Sequence, residues 1–171
     1  MDDASLNAGP LNAGPPITDS ARDFAAALPE GGALLALDLG TKTIGIALCD
    51  AGWRFATAGK TLERGKFGRD RDTLAAICRE RSVRGVVIGL PRNMDGSEGS
   101  RAQASRAYAR NLSAALDLPI LLWDERWSTV SAERSLIEQD MSRGKRKERI
   151  DSHAAAVILQ AAIDALAGAS I

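Results

Sequence analysis

The chain has 171 residues, with 22 basic and 22 acidic side chains, 45% hydrophobic and 26% charged residues, the make-up of one globular domain large enough to bury a core. No apolar run approaches the ~18–20 residues that span a bilayer, and Asp2 and Asp3 stand where a signal peptide carries Lys or Arg, so the expectation is a cytoplasmic protein with no membrane partner. Cys49 and Cys78 have no metal spacing and read as reduced buried thiols, while the charge is uneven: residues 1–30 set five acids against Arg22 alone, leaving the remainder mildly basic and compatible with a polyanion.

Residues 1–32 read as an acidic tail. The pentamer Leu-Asn-Ala-Gly-Pro occurs twice in tandem from Leu6 to Pro15, and Gly, Pro and Asn at this density sustain neither a ladder nor a helix, so disorder is expected. Within it, residues 19–28 have the makings of a short helix on Ser20, with Phe24 and Leu28 on one face. Pro29-Glu30-Gly31-Gly32 then separates the tail from a domain over residues 33–171.

That domain opens with Leu34-Leu-Ala-Leu-Asp38-Leu-Gly40-Thr-Lys-Thr-Ile-Gly-Ile-Ala-Leu48, two strands folded back at Gly40. Asp38 closes an apolar run, where an unpaired charge costs several kcal/mol, so it needs a cation, strong donors or solvent. Either it shapes the turn or it is the first ligand of a metal site. Residues 54–62 read as a third strand, completing an antiparallel meander. From 68 to 81, Leu74, Ile77 and Cys78 recur at helical spacing. Residues 85–90 are a wholly apolar strand, 100–116 a helix and 119–123 a fifth strand. Two last helices, 128–140 and 151–166, flank a basic connector. The order βββαβαβαα predicts an α/β fold: a mixed five-stranded sheet, antiparallel meander plus parallel strands, flanked by helices. Ligands in such sheets bind at the carboxyl ends of strands.

Asp38 and Asp124-Glu125 are candidates for that edge, and with Asp151 they make three acidic positions that stand out. Asp124-Glu125 follows the fifth strand, either as a ligand pair or as acids favouring the start of the helix that Ser128 caps. Asp151 opens the last helix, as a ligand or as its N-cap. Carboxylates converging from these three places would suit Mg²⁺ or Mn²⁺, and two such ions about 4 Å apart activate water on a phosphodiester.

The chain resembles the YqgF/RuvX family of Holliday-junction-resolvase-like, pre-16S rRNA nucleases. The resemblance rests on Asp38-Leu-Gly-Thr-Lys-Thr-Ile-Gly-Ile-Ala47, Gly89-Leu-Pro-Arg-Asn-Met-Asp-Gly-Ser97, Asp124-Glu-Arg-Trp-Ser-Thr129 with Ala132-Glu133, and Lys145-Arg-Lys147 before Asp151-Ser-His-Ala-Ala155. It implies a ribonuclease H-like fold and a metal-dependent nuclease of structured nucleic acid, acting in 5′-end processing of pre-16S rRNA. It implies Asp38, Glu125 and Asp151 as the catalytic, metal-binding acids, with Asp124 as an alternate ligand. Resolvases of the RuvC type carry an acid on the fourth strand, where this chain has Gly89-Leu90-Pro91; the resemblance implies that Glu125, from the next strand, takes that place.

Cations near this edge are candidates for phosphate: Lys42, Arg92 with Asn93, Arg126, and the connector residues Arg143, Lys145, Arg146, Lys147 and Arg149. Trp127 reads as core, with base stacking as the other role, and His153 as packing. Rival readings are a DNA junction resolvase, an RNA-binding factor without catalysis, and an actin-like ATPase, whose Asp-Leu-Gly-Thr loop is similar but which closes two such domains on its nucleotide. No P-loop motif is present. Monomer and homodimer are both open.

Overall fold

The computed structural model describes residues 14–128 and 143–169, the side chains of 143–151 excepted. Within them lie seven strands, β1 (Ile17–Thr18), β2 (Ala33–Leu39), β3 (Thr43–Cys49), β4 (Thr57–Ala58), β5 (Leu62–Glu63), β6 (Val83–Leu90) and β7 (Ile120–Asp124), and four α-helices, α1 (Ala21–Ala26), α2 (Phe67–Glu80), α3 (Ser100–Leu116) and α4 (Arg143–Ala169). They form one mixed sheet in the order β1-β7-β6-β2-β3-β4, with β5 also paired to β3. β2 and β3 are antiparallel, whereas β6 lies parallel to β2 and β7 parallel to β6. This is the ribonuclease H-like arrangement that the resemblance implies.

The apolar strands are buried on both faces, and their alternation divides the core in two. Leu34, Ala36, Val87, Leu121 and Trp123 pack beneath α1 and α4, with Ala154, Ile158, Leu159 and Ile163 of α4 among them. Leu35, Leu37, Ile88, Ile120 and Leu122 face α2 and α3, against Leu74, Ala109 and Leu112. Cys49 and Cys78 are free and buried, and burial pushes the Cys78 thiol up to about 11.

The structure departs from the sequence expectations in four places. The meander's third strand is broken into β4 and β5 and β1 joins the sheet, which together turn the predicted five strands into seven. The acidic segment before residue 32 is not structureless over its described part. Pro16 accepts a hydrogen bond from the Ile120 amide and Ile17 pairs with Ile120, while the short helix expected on Ser20 is present as α1, the Ser20 hydroxyl accepting from the Asp23 amide. Phe24 is fully buried, because β6 carries glycine at 85: a Cβ there would lie 2.8 Å from the Phe24 ring and 2.9 Å from Leu28. Third, residues 143–149 are helical, so the basic stretch is the first two turns of α4 rather than a connector. Finally, Ser152–Ala169 has the length and apolarity to cross a bilayer, with mean hydropathy 1.3, although the composition suggested no such run. Its apolar face is covered by the sheet, which accounts for that composition. The expected helix beyond Ser128, with Thr129, Ala132 and Glu133, lies outside the described residues.

Candidate active site

The carboxyl ends of β2, β6 and β7 lie side by side. Leu37 pairs with Ile88 and Ile88 with Leu122, so Asp38 and Gly89 stand one level further on, with Gly89 paired to Trp123. Alternation places Asp38 on the α4 side with Leu34 and Ala36. It is 3% exposed, so its charge needs hydrogen-bond donors or a cation in its surroundings.

β7 ends in a 3-10 turn, Glu125–Trp127, begun by the Asp124 carboxylate accepting the Arg126 amide at 3.0 Å. The amide and hydroxyl of Ser128 both donate to the Glu125 carbonyl, which closes the turn. The Glu125 side chain folds back over Gly89: a Cβ at that glycine would meet Glu125 Oε1 at 2.6 Å and Ile158 Cδ1 of α4 at 2.8 Å. The Glu125 carboxylate therefore occupies the space above Gly89, on the α4 side, one strand away from Asp38. Adjacent strands lie about 4.8 Å apart. Asp38 and Glu125 are thus brought together.

α4 runs antiparallel to β2 across this face. Its Ser152 hydroxyl bonds that of Thr61, beside the β5 pairing to Thr43 and Ile44, and Gln160 reaches Ala56 and Arg54 at the far end of β3. The end of α4 nearer residue 143 therefore lies at the Asp38 edge. Asp151 stands more than two turns inside the helix, which corrects its reading as the opening residue and removes an N-cap role. It precedes Ala154, Ala155 and Ile158 by three, four and seven residues, intervals that return to one helix face. Its side chain is outside the described set. Among the described residues no trio of His, Cys, Asp or Glu is grouped closely enough to hold a metal.

Asp124 goes elsewhere. It pairs with Leu90 and so projects to the α2–α3 side, opposite Asp38. Both its oxygens accept from the Arg126 side chain, at 2.7–3.1 Å, and Arg92 stands 3.7 Å away. Burial raises its pKa, but these hydrogen bonds and charges outweigh burial and hold the carboxyl below the usual range.

The cations separate in the same way. Arg92 also faces Asp19 and Glu98, each at 3.5 Å, and Glu98 in turn takes two hydrogen bonds from Arg106. Arg126 additionally donates to the Met94 carbonyl. The Asn93 side chain donates to the Ser97 hydroxyl, and its amide to the Ser97 carbonyl, holding the loop after β6. These three residues build the edge. Lys42 is exposed on the β2–β3 turn. Arg143, Lys145, Arg146, Lys147 and Arg149 lie on the opening turns of α4, and their side chains are not described. His153 is half-buried on α4.

Two residues that carry this geometry were not visible as such in the sequence. Gly89 read only as a strand terminator, although its lack of a side chain makes room for Glu125. Arg64 donates to the Gly40 carbonyl at 2.7 Å and lies over the Tyr108 ring, bracing the turn behind Asp38. A signal existed for Gly89: it is one of few small residues in an apolar strand that enters a motif with acids nearby.

A family model described as RuvX, Holliday junction resolvase, matches residues 32–165. A protein of Novosphingobium aromaticivorans named as a candidate pre-16S rRNA nuclease is 66% identical over 154 residues, covering 90% of this chain and 99% of its own. One of the same name from Sphingopyxis alaskensis is 62% identical over 150 residues, covering 88% and 98%. Among solved structures, RuvC of Thermus thermophilus superposes with a TM-score of 0.49 at 12% identity, over 80% of this chain and 96% of that one.

Proposed function

The chain belongs to the RuvX family and is a phosphodiester-hydrolysing nuclease, and we propose that it trims the 5′ side of pre-16S rRNA in the cytoplasm, with Asp38, Glu125 and Asp151 as its metal-binding acids. The observation that carries this assignment of the site is the Glu125 carboxylate in the space above Gly89, on the same side of the sheet as Asp38.

The residues fit a divalent cation. Carboxylate oxygens are the hard donors that Mg²⁺ and Mn²⁺ take, and the missing side chain at Gly89 is what lets Glu125 Oε1 lie on the Asp38 side of the sheet. Asp38 contributes from a rigid strand, Glu125 from a turn locked by two Ser128 hydrogen bonds, and Asp151 from the helix that crosses above both. Asp124 faces the other side of the sheet and is held by Arg126 and Arg92, which supports leaving it outside the set. The chemistry that a bound Mg²⁺ or Mn²⁺ supplies is activation of a water and stabilisation of the leaving oxygen. The chain's own part is to hold these acids at fixed positions. It also offers positive charge for the substrate's phosphates on Lys42 and on the opening turns of α4, where the helix dipole adds to the cations.

The test is cleavage of labelled pre-16S rRNA and of a synthetic four-way DNA junction, each with Mg²⁺ or Mn²⁺. The wild-type protein should cut the rRNA, and chelation or Asp38→Asn should abolish cutting without loss of the folded state. Cleavage of the junction alone would make the chain a resolvase, and wild-type rates in Asp38→Asn would remove the site.

A further inference from the structure

We propose that Trp127 is a stacking platform for one unpaired base of the substrate, beside the Asp38–Glu125 site. Trp127 is the last residue of the 3-10 turn that begins with Glu125, and it is 62% exposed, whereas an apolar side chain of this size ordinarily belongs in the core. Its ring packs edge-on against Trp123, with centroids 5.8 Å apart and planes at 83°. Trp123 is buried among the α4-side residues, so this contact fixes the Trp127 indole on the side of the sheet that holds Asp38 and Glu125. The turn beneath is tied at both ends, by the Asp124 carboxylate on the Arg126 amide and by Ser128 on the Glu125 carbonyl. An immobilised, exposed indole two residues from a nuclease carboxylate matches the flat face that a nucleobase offers. Such stacking tolerates any sequence, because every base has a π-face.

The occupant must therefore carry a base free of its own stack, as single strands and strand ends do and a continuous duplex does not. This inference rests on the nuclease reading for its substrate class, and it adds that the nucleotide beside the scissile phosphate is unstacked.

Binding is measured in the Asp38→Asn protein, where no cleavage intervenes, with a short fluorescein-labelled single-stranded RNA, the same backbone made abasic, and a blunt duplex. Trp127→Leu should weaken the single strand about ten-fold, within the range that loss of one aromatic–base stack gives. It should leave the abasic strand and the duplex unchanged. The salt slope should not move, because no phosphate contact is lost. Trp127→Phe should keep most of the affinity, and the quenching of tryptophan emission by the base-bearing strand should disappear in both variants. Equal loss on abasic and base-bearing strands would overturn the proposal, as would unchanged affinity in Trp127→Leu. A change in sedimentation with oligonucleotide affinity intact would overturn it in favour of a second copy of the chain. If the wild-type protein cuts no substrate while Trp127→Leu still loses the single strand selectively, the nuclease reading fails and the platform stands.

Discussion

Gly89 decides where Glu125 can put its carboxylate. Replacing it by alanine places a methyl 2.6 Å from Glu125 Oε1 and 2.8 Å from Ile158, and both neighbours are ends of flexible side chains that can be pushed aside. Overpacking of this kind costs about 1–3 kcal/mol. Gly89→Ala should therefore cost a few degrees of melting temperature yet lower cleavage at least ten-fold, because displaced carboxylates lose the geometry that catalysis needs. A melting curve and a rate on the same preparation check this, and an unchanged rate would show that the Glu125 carboxylate is not needed above Gly89. Asp124 should behave differently. Its carboxyl is held below the usual range by Arg126 and Arg92, so its contribution to stability is fully present above the unfolded carboxylate pKa and is lost as pH falls through the lower folded value. The stability gap between the wild-type protein and Asp124→Asn should thus be constant near neutrality and close in acid, which denaturant titrations at several pH values measure. The two neighbouring acids look equivalent in the string Trp-Asp-Glu-Arg. Only the strand register, with Trp123 turned to α4 and Asp124 turned away, separates them.

At the scale of elements, β2, β3, β6, β7, α2, α3 and the body of α4 were legible because their periodicity is strong, and two of the stretches that differ from expectation each have a physical reason. The segment with β1 and α1 offers only two apolar anchors, Phe24 and Leu28, too few to fold alone; what receives them is Gly85, distant in sequence. The relative from Novosphingobium aligns over 154 residues of a 171-residue chain, a span that must include this helix. Phe24→Ala should cost about 3–5 kcal/mol, since a buried phenyl leaves a cavity that its neighbours cannot fill. At roughly 2–4 °C per kcal/mol for a domain of this size, that is a loss on the order of 10 °C in a calorimetric scan. Deleting residues 1–30 should do at least as much, and a deletion that melts with the full chain would show the helix to be dispensable. The opening of α4 was read as a connector because of Gly144 and the dense charge. Arg, Lys and Glu are good helix formers, however, and one glycine costs only about 1 kcal/mol.

Over the whole molecule, the balance of 22 basic and 22 acidic groups hides a separation with a use. Inside the sheet edge the arginines are consumed: Arg92, Arg106 and Arg126 are paired with Asp19, Glu98 and Asp124. The five cations on the first two turns of α4 are set against Glu148 alone, at a helix end whose dipole already disfavours positive charge, and that end lies at the edge that holds Asp38. Such an arrangement weakens the free helix and is relieved by a polyanion, so it points to phosphate. Neutralising Lys145, Arg146 and Lys147 together should weaken binding of any nucleic acid irrespective of sequence. Each lost phosphate contact should lower the slope of log affinity against log salt by about 0.7 on single strands and about 0.9 on duplex. Cleavage at saturating substrate should persist, because none of the three belongs to the proposed metal site. The same substitutions should raise rather than lower helix stability in the free protein, since they remove like charges from the positive end of the dipole. A titration at three salt concentrations beside a thermal melt separates this role from that of a solvated helix end, for which neither affinity nor slope would move.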